Sequence, residues 1–153
     1  MPYSVHIPPQ PSTNLEKLSD EERKFTPRTW NLSDVQEAVR TKQLSLQLSG
    51  MASTQVMLEL SWSSQHLEAF FLALGRHHYL KSEWVYVASE PKINGYPITY
   101  ACDVYSMGFN KGLLKENEKS RPYVYCKFTV KEAAETVLIT NIHPEKDIKD
   151  RSR

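Results

Sequence analysis

Apolar and polar residues alternate regularly along residues 123–130. In a strand, a period of two puts them on opposite faces, with Val124, Cys126, Phe128 and Val130 on one and Tyr123, Tyr125, Lys127 and Thr129 on the other. The apolar face is typical of a core. The second face suits a nucleic-acid surface, where rings stack on bases and an ammonium group meets phosphate. Taken alone, the pattern favours an ordinary half-exposed sheet, because tyrosine and threonine are good strand formers.

Helical spacing of apolar residues is found earlier in the chain. A first helix is predicted to begin with a capping box of Ser33 and Gln36 and to end near Lys42. Residues 53–60 show a weaker helical pattern. The clearest helix covers residues 63–75, where a serine caps the start, a glycine ends it and an apolar stripe follows the i, i+3, i+4, i+7 spacing.

Extended segments dominate the second half of the chain. Strands are predicted at about 44–48, between the 63–75 helix and residue 88, and at about 98–105, 122–131 and 136–142. A turn is predicted at 91–97 and a long polar loop at 107–121. Helices followed by an antiparallel meander indicate an α+β fold, with the N-terminal helices packed on one face of a mainly antiparallel, twisted sheet.

Composition limits the possible functions. A chain of 153 residues with 40% hydrophobic residues suits one globular domain, here residues 25–146, between a proline-containing extended or disordered arm (1–24) and a polar tail (147–153). A net charge of +1 gives no general basic field for nucleic acid. Without a long apolar run or a signal peptide, we expect a cytoplasmic protein that does not associate with membranes.

Short motifs along residues 25–146 together resemble the MqsR family of bacterial toxins, the motility quorum-sensing regulator type. They are Thr26-Pro27-Arg28, Leu74 with Tyr79-Leu80-Lys81-Ser82, Asp103-Val104-Tyr105, Val124-Tyr125-Cys126-Lys127 and Val137-Leu138-Ile139. The resemblance implies a RelE-like fold and a metal-independent endoribonuclease (an mRNA interferase) that cleaves single-stranded mRNA. It also implies a cognate antitoxin, often with a zinc-binding segment and a helix-turn-helix domain.

Carried over onto this chain, the family's catalytic lysine is Lys81 and its catalytic tyrosine is Tyr125. Lys127 is a further candidate for stabilising phosphate charge, and His78 is a candidate general acid near a helix end. The family's glutamine is replaced here by Cys102, which cannot donate and accept as an amide does.

The remaining candidates would contact the substrate: His77, Tyr123, Tyr105 and Cys102. Neither a metal nor a cofactor is expected, because two cysteines without a CxxC motif and histidines at this spacing make a poor metal site. We expect Asp103 to be a structural carboxylate. Two alternatives remain: an inactive relative that binds RNA or a protein partner without cleavage, and an unrelated α+β interaction domain.

Overall fold

The computed structural model describes residues 3–6, 19, 23–25, 28–87, 92–93 and 96–145. The helices are α1 Leu32–Arg40, α2 Gly50–Gln55, continued by a π-helical turn Val56–Leu60, and α3 Ser64–Ala73, followed by a 3₁₀ turn Arg76–His78. The strands are β1 Lys24–Phe25, β2 Ser45–Leu48, β3 Tyr79–Tyr86, β4 Lys92–Ile93, β5 Tyr96–Pro97, β6 Thr99–Met107, β7 Phe109–Asn110, β8 Lys115–Glu116, β9 Val124–Lys131 and β10 Thr136–Pro144. A second 3₁₀ turn, Glu132–Ala134, precedes β10.

Six strands form one sheet in the order β1-β3-β6-β9-β10-β2. Neighbouring strands are antiparallel except β10 and β2, which are parallel. The other strands form two short ladders, β4 with β5 and β7 with β8. The predicted α+β class and mainly antiparallel sheet are confirmed, and β2 is an edge strand as the alternation at 44–48 predicts.

The helices pack on one face of this sheet, which we call the inner face. Its strand residues share one buried cluster with the helices and are Tyr105, Met107, Val124, Cys126, Phe128, Val130, Val137, Ile139 and Ile142. Phe71 of α3 packs edge-on against Phe128 of β9, with ring centroids 5.1 Å apart. Full burial of one such ring contributes about 1.5–3 kcal/mol. The apolar half of the 123–130 alternation therefore forms core, as predicted.

Helix α1 begins two residues earlier than the capping box predicts. Asn31 is the N-cap residue, and its side chain accepts a hydrogen bond from the Asp34 N–H, whereas Ser33 lies inside the helix. The Gln36 amide is buried and donates to the Phe71 and Leu74 carbonyls at 2.8 Å each. The capping-box prediction is therefore wrong, and Gln36 instead ties α1 to the end of α3.

Asp103 fixes the segment before α1 to the sheet. The Thr29 and Trp30 N–H groups donate to its two carboxylate oxygens at 2.9 Å each, and Ser82 Oγ donates at 2.6 Å. Burial raises the pKa of Asp103, and these hydrogen bonds and the charge of Arg28 oppose the rise. The structural role predicted for Asp103 agrees with these contacts.

The polar stretch 107–121 contains more structure than a loop. Strand β6 continues to Met107, and β7 and β8 form a hairpin whose Phe109 ring packs edge-on against Phe70 of α3 at 5.5 Å. Gly108 permits this chain reversal, because a Cβ there would lie 2.3 Å from the Asn117 carbonyl oxygen. The hairpin is therefore folded against the helices.

Parts of the predicted N-terminal arm pair with the domain. Ser4 forms an antiparallel bridge with Trp30, and Lys24 is in β1. Within the predicted arm the structure describes residues 3–6, 19 and 23–24. The rest of the arm and the tail 147–153 lie outside the described residues. Among the described residues, no helix is long and apolar enough to cross a bilayer.

Candidate functional site

The face of the sheet opposite the helices, which we call the outer face, carries most of the predicted catalytic residues. By strand register its members include Lys81 and Glu83 on β3, Cys102, Val104 and Ser106 on β6, Tyr125, Lys127 and Thr129 on β9, and Leu138, Asn141 and His143 on β10. Lys81 and Lys127 both lie opposite Val104, one on each neighbouring strand. Three of the predicted catalytic residues, Lys81, Tyr125 and Lys127, therefore share one face of the sheet.

A carboxylate joins the two lysines. One oxygen of Glu83 pairs closely with Lys127 Nζ, and its other oxygen lies 3.8 Å from Lys81 Nζ. The side chains of Lys127 and Glu83 are only 14% and 12% exposed, whereas Lys81 is 32% exposed. In such a poorly hydrated position, charges interact more strongly than on an open surface. The cluster holds two cations and one anion, which leaves a net positive charge for an anionic ligand.

Tyr125 lies beside this cluster on β9. Burial raises the pKa of its phenol above the ordinary range, and the negative charge of Glu83 raises it further. The phenol therefore stays protonated at neutral pH and can donate a hydrogen bond. Its ring stacks on the His143 ring of β10, with centroids 5.0 Å apart and planes 17° from parallel.

Cys102 occupies the same face but is fully buried. It lies opposite Glu83, and burial raises the pKa of its thiol to about 12, although the charge of Lys127 opposes the rise. A neutral thiol without exposed surface is neither a nucleophile nor a ligand for RNA. The substrate contact predicted for Cys102 therefore does not fit its position in this structure.

Two other predicted substrate contacts differ in their surroundings. Tyr105 is fully buried on the inner face, where its ring stacks on Phe128, so no part of it is open to a base. This burial removes Tyr105 from the candidate surface. Tyr123 is partly exposed, but the Arg121 guanidinium lies 4.0 Å from its ring centroid and its hydroxyl donates to the Glu118 carbonyl.

His77 and His78 form a separate cluster with Glu116 of β8. His78 is buried with Nε2 2.6 Å from Glu116 Oε2, and the exposed His77 places its Nε2 3.7 Å from the same oxygen. The Gly75 N–H donates to His78 Nδ1 at 2.8 Å. A neutral His78 therefore carries its proton on Nε2 and donates it to Glu116. The structure thus pairs His78 with the hairpin on the helix side of the sheet.

This histidine–glutamate cluster is the group among the described residues that could hold a metal ion, since its ligand atoms lie within 4.8 Å of one another. Its hydrogen bonds do not favour that use. A metal bound at His78 Nε2 would require the ring proton on Nδ1, where the Gly75 N–H already points. His78 would have to lose that hydrogen bond to become a ligand.

Sequence reasoning missed Glu83 and His143. A glutamate in a strand gives the same signal as any exposed polar residue, and only the register places it between two lysines. His143 lies one residue beyond the predicted end of the last strand, which continues to Pro144. The alternation from Leu138 would have placed His143 on the inner face, because the shift between Ile139 and Asn141 was not visible in the sequence.

Comparisons of the chain with protein-family models, with curated proteins and with solved structures give no match. The site must therefore be interpreted from its own residues and from the ordered motifs in the sequence.

Proposed function

We propose that this chain is a metal-independent endoribonuclease of the MqsR type, with a RelE-like arrangement of helices and sheet, that cleaves single-stranded mRNA in the cytoplasm. The observation that carries the proposal is the grouping of Lys81, Lys127 and Tyr125 on the outer face around Glu83. The motif resemblance selects Lys81 and Tyr125 from the sequence alone. Their proximity across three strands is an independent reason to treat them as one site.

Metal-independent RNA cleavage makes three demands on a protein. A base takes the proton of the ribose 2′-hydroxyl, whose oxygen attacks phosphorus as the bond to the 5′-oxygen breaks. An acid protonates that 5′-oxygen, and cations stabilise the charge on the phosphate. Lys81 and Lys127 supply the cations. Tyr125 supplies a phenol that stays protonated until the leaving oxygen needs its proton or its hydrogen bond.

Glu83 positions the two lysine side chains before RNA binds. It holds Lys127 in place and draws Lys81 towards it, which limits the motion of two long side chains. A phosphate that enters beside Lys81 competes with Glu83 for the Lys81 ammonium group. The Lys81–Glu83 distance of 3.8 Å makes this the weaker of the two ion pairs of Glu83. The more exposed Lys81 is thus the first contact for RNA, and Lys127 the fixed one.

Cleavage of a long single-stranded RNA in EDTA tests the proposal. Wild type is compared with Lys81→Ala, Tyr125→Phe and, as a matched lysine control, Lys111→Ala in the exposed hairpin turn. We expect products with 2′,3′-cyclic phosphate ends, about 100-fold slower cleavage in the first two variants and an unchanged rate in the control. Wild-type rates in folded Lys81→Ala and Tyr125→Phe would contradict the proposal.

An inactive module that binds RNA or a protein partner is the second candidate, and Cys102 favours it. A buried thiol replaces the amide that the family resemblance would put beside the lysines. If folded wild type binds labelled RNA without cleaving it, and Cys102→Gln gains cleavage, this candidate replaces the nuclease.

The resemblance also implies a partner. We propose that a cognate antitoxin, of the kind with a zinc-binding segment and a helix-turn-helix domain, neutralises this chain. Induction of the wild type in bacteria should arrest growth, and induction of Lys81→Ala to the same level should not. Equal arrest by both proteins would separate toxicity from the proposed site.

A further inference from the structure

We infer that His143 is the general base of the outer-face site, an inference that rests on the proposed ribonuclease function. Nothing in the sequence motifs selects this residue. Its place in the sheet does, since His143 lies directly opposite Tyr125 in the β9–β10 ladder and stacks on the Tyr125 ring. Among the described residues, the site otherwise holds cations, a protonated phenol, and carboxylates that are ion-paired or hydrogen-bonded.

The hydrogen bonding of His143 determines which ring nitrogen is available. Nδ1 lies 2.9 Å from the Pro144 carbonyl oxygen. Because a carbonyl oxygen only accepts, the neutral ring carries its proton on Nδ1 and has its lone pair on Nε2. Nε2 makes no hydrogen bond to any of the described residues, and His143 is partly exposed. The fixed tautomer thus presents a basic nitrogen to a ligand on this face.

The other possible bases among the described residues of the site are Glu83 and Glu145, and Glu145 accepts a hydrogen bond from Ser106 Oγ at 2.7 Å. Glu83 is the carboxylate between the lysines. Its two oxygens are engaged by Lys127 and Lys81, and ion pairing makes a carboxylate a weaker proton acceptor. Glu83 therefore acts as a positioning residue for the lysines. His143, in contrast, forms no ion pair with any of the described residues, and histidine is the side chain that most often transfers protons in catalysis.

The proton balance of the step is complete without a further reactant. His143 Nε2 takes the proton from the ribose 2′-hydroxyl as its oxygen bonds to phosphorus. The bond from phosphorus to the 5′-oxygen breaks, and that oxygen takes the phenol proton of Tyr125. The imidazolium and the phenolate then return to their starting states by proton exchange through solvent. The products are a 2′,3′-cyclic phosphate and a 5′-hydroxyl.

Several charged or titratable groups surround His143, and they belong to the pH dependence of the site. Those on the outer face are Tyr125 and Lys127 of β9, Cys102 of β6, Lys81 and Glu83 of β3, and Glu145, which follows β10 and accepts from Ser106. Of the other elements packed against β10, the π-helical turn carries Glu59, and neither α2 nor β2 has an ionisable side chain. The test must therefore distinguish the contribution of His143 to the pH dependence of cleavage from the contributions of these groups.

Single-turnover RNA cleavage is measured from pH 5 to 9 for wild type, His143→Gln and His143→Phe. Phenylalanine keeps a ring against Tyr125, so it separates stacking from proton transfer. We expect both variants to cleave about 100-fold or more slowly and to lose the acidic limb of the pH profile. His66→Gln is the matched control. Glutamine can replace His66 in the α3 capping box, so the rate and profile should not change.

The outcomes separate this inference from the proposed function. If wild type cleaves, Lys81→Ala does not, and His143→Gln keeps its rate and acidic limb, then His143 is not the base although the nuclease stands. If folded wild type does not cleave, both fail. A readout without RNA is the ¹⁵N spectrum of the His143 ring. The Nδ1–H tautomer is expected, and an Nε2–H tautomer would overturn the assignment.

Discussion

The two faces of the central sheet treat buried polar groups differently. On the inner face, the Asp103 carboxylate accepts hydrogen bonds from two backbone N–H groups and one hydroxyl, so it fixes a segment of chain. On the outer face, Glu83 and Lys127 are almost as well buried, but their partners are other charged side chains. Backbone partners cannot leave a folded site, whereas side-chain partners can exchange for a ligand. The comparison therefore separates a structural carboxylate, Asp103, from a carboxylate of the candidate site, Glu83.

The largest effect in this comparison is expected for Asp103→Asn. An amide offers one acceptor where the carboxylate offers two, so at least one buried donor loses its partner. We expect the free energy of unfolding to fall by about 2–4 kcal/mol in urea denaturation. Asp34→Asn, the same change on exposed α1, should cost less than about 1 kcal/mol. Equal losses in the two variants would mean that Asp103 does not fix the chain.

The sequence predicted those parts of the fold that repeat a short pattern. The alternation at 124–130 identifies both faces of β9, because period two leaves one assignment once the apolar face is buried. Helix α3 is equally clear from its apolar stripe. The hairpin of β7 and β8 was missed, since two-residue strands carry no period and their packing depends on Phe109 reaching Phe70.

The candidate site was predictable only in part, for a related reason. Strand β6 carries polar or aromatic residues on both faces, so its pattern does not show which face is buried. A shift of one residue in its register would move Cys102 to the inner face and Tyr105 to the outer face. Its register is set by Asp103 and its distant donors, which the sequence does not pair. Glu83 and His143 acquire their meaning from neighbouring strands, so single-strand patterns could not identify them.

A smaller effect is expected for the outer-face pair, and a double-mutant cycle measures it. Glu83→Gln and Lys127→Met should each lower the free energy of unfolding by about 1–3 kcal/mol, because each leaves a poorly hydrated charge without its partner. The double variant should lose clearly less than the sum, with a coupling of about 1–2 kcal/mol.

The exposed pair of Glu37 and Arg40 in α1 is the matched control for that cycle. Its side chains are 62% and 53% exposed, and its coupling should not exceed about 0.5 kcal/mol. If the Glu83–Lys127 coupling is no larger than this, the outer-face pair is an ordinary surface ion pair. The two faces would then differ in how deeply their polar groups are buried, and not in the strength of the charge pairing.

The smallest effect is expected for Tyr105→Phe on the inner face. The Tyr105 hydroxyl is buried and has no hydrogen-bond partner among the described residues, so its removal should leave stability unchanged or raise it by up to about 1 kcal/mol. Tyr79 is the matched control, because its ring lies 5.6 Å from that of Tyr105 while its hydroxyl bonds Ser82 Oγ at 2.7 Å. Tyr79→Phe should therefore lose about 0.5–1.5 kcal/mol in the same urea titration. A larger loss for Tyr105→Phe than for Tyr79→Phe would show that the Tyr105 hydroxyl is hydrogen-bonded in solution.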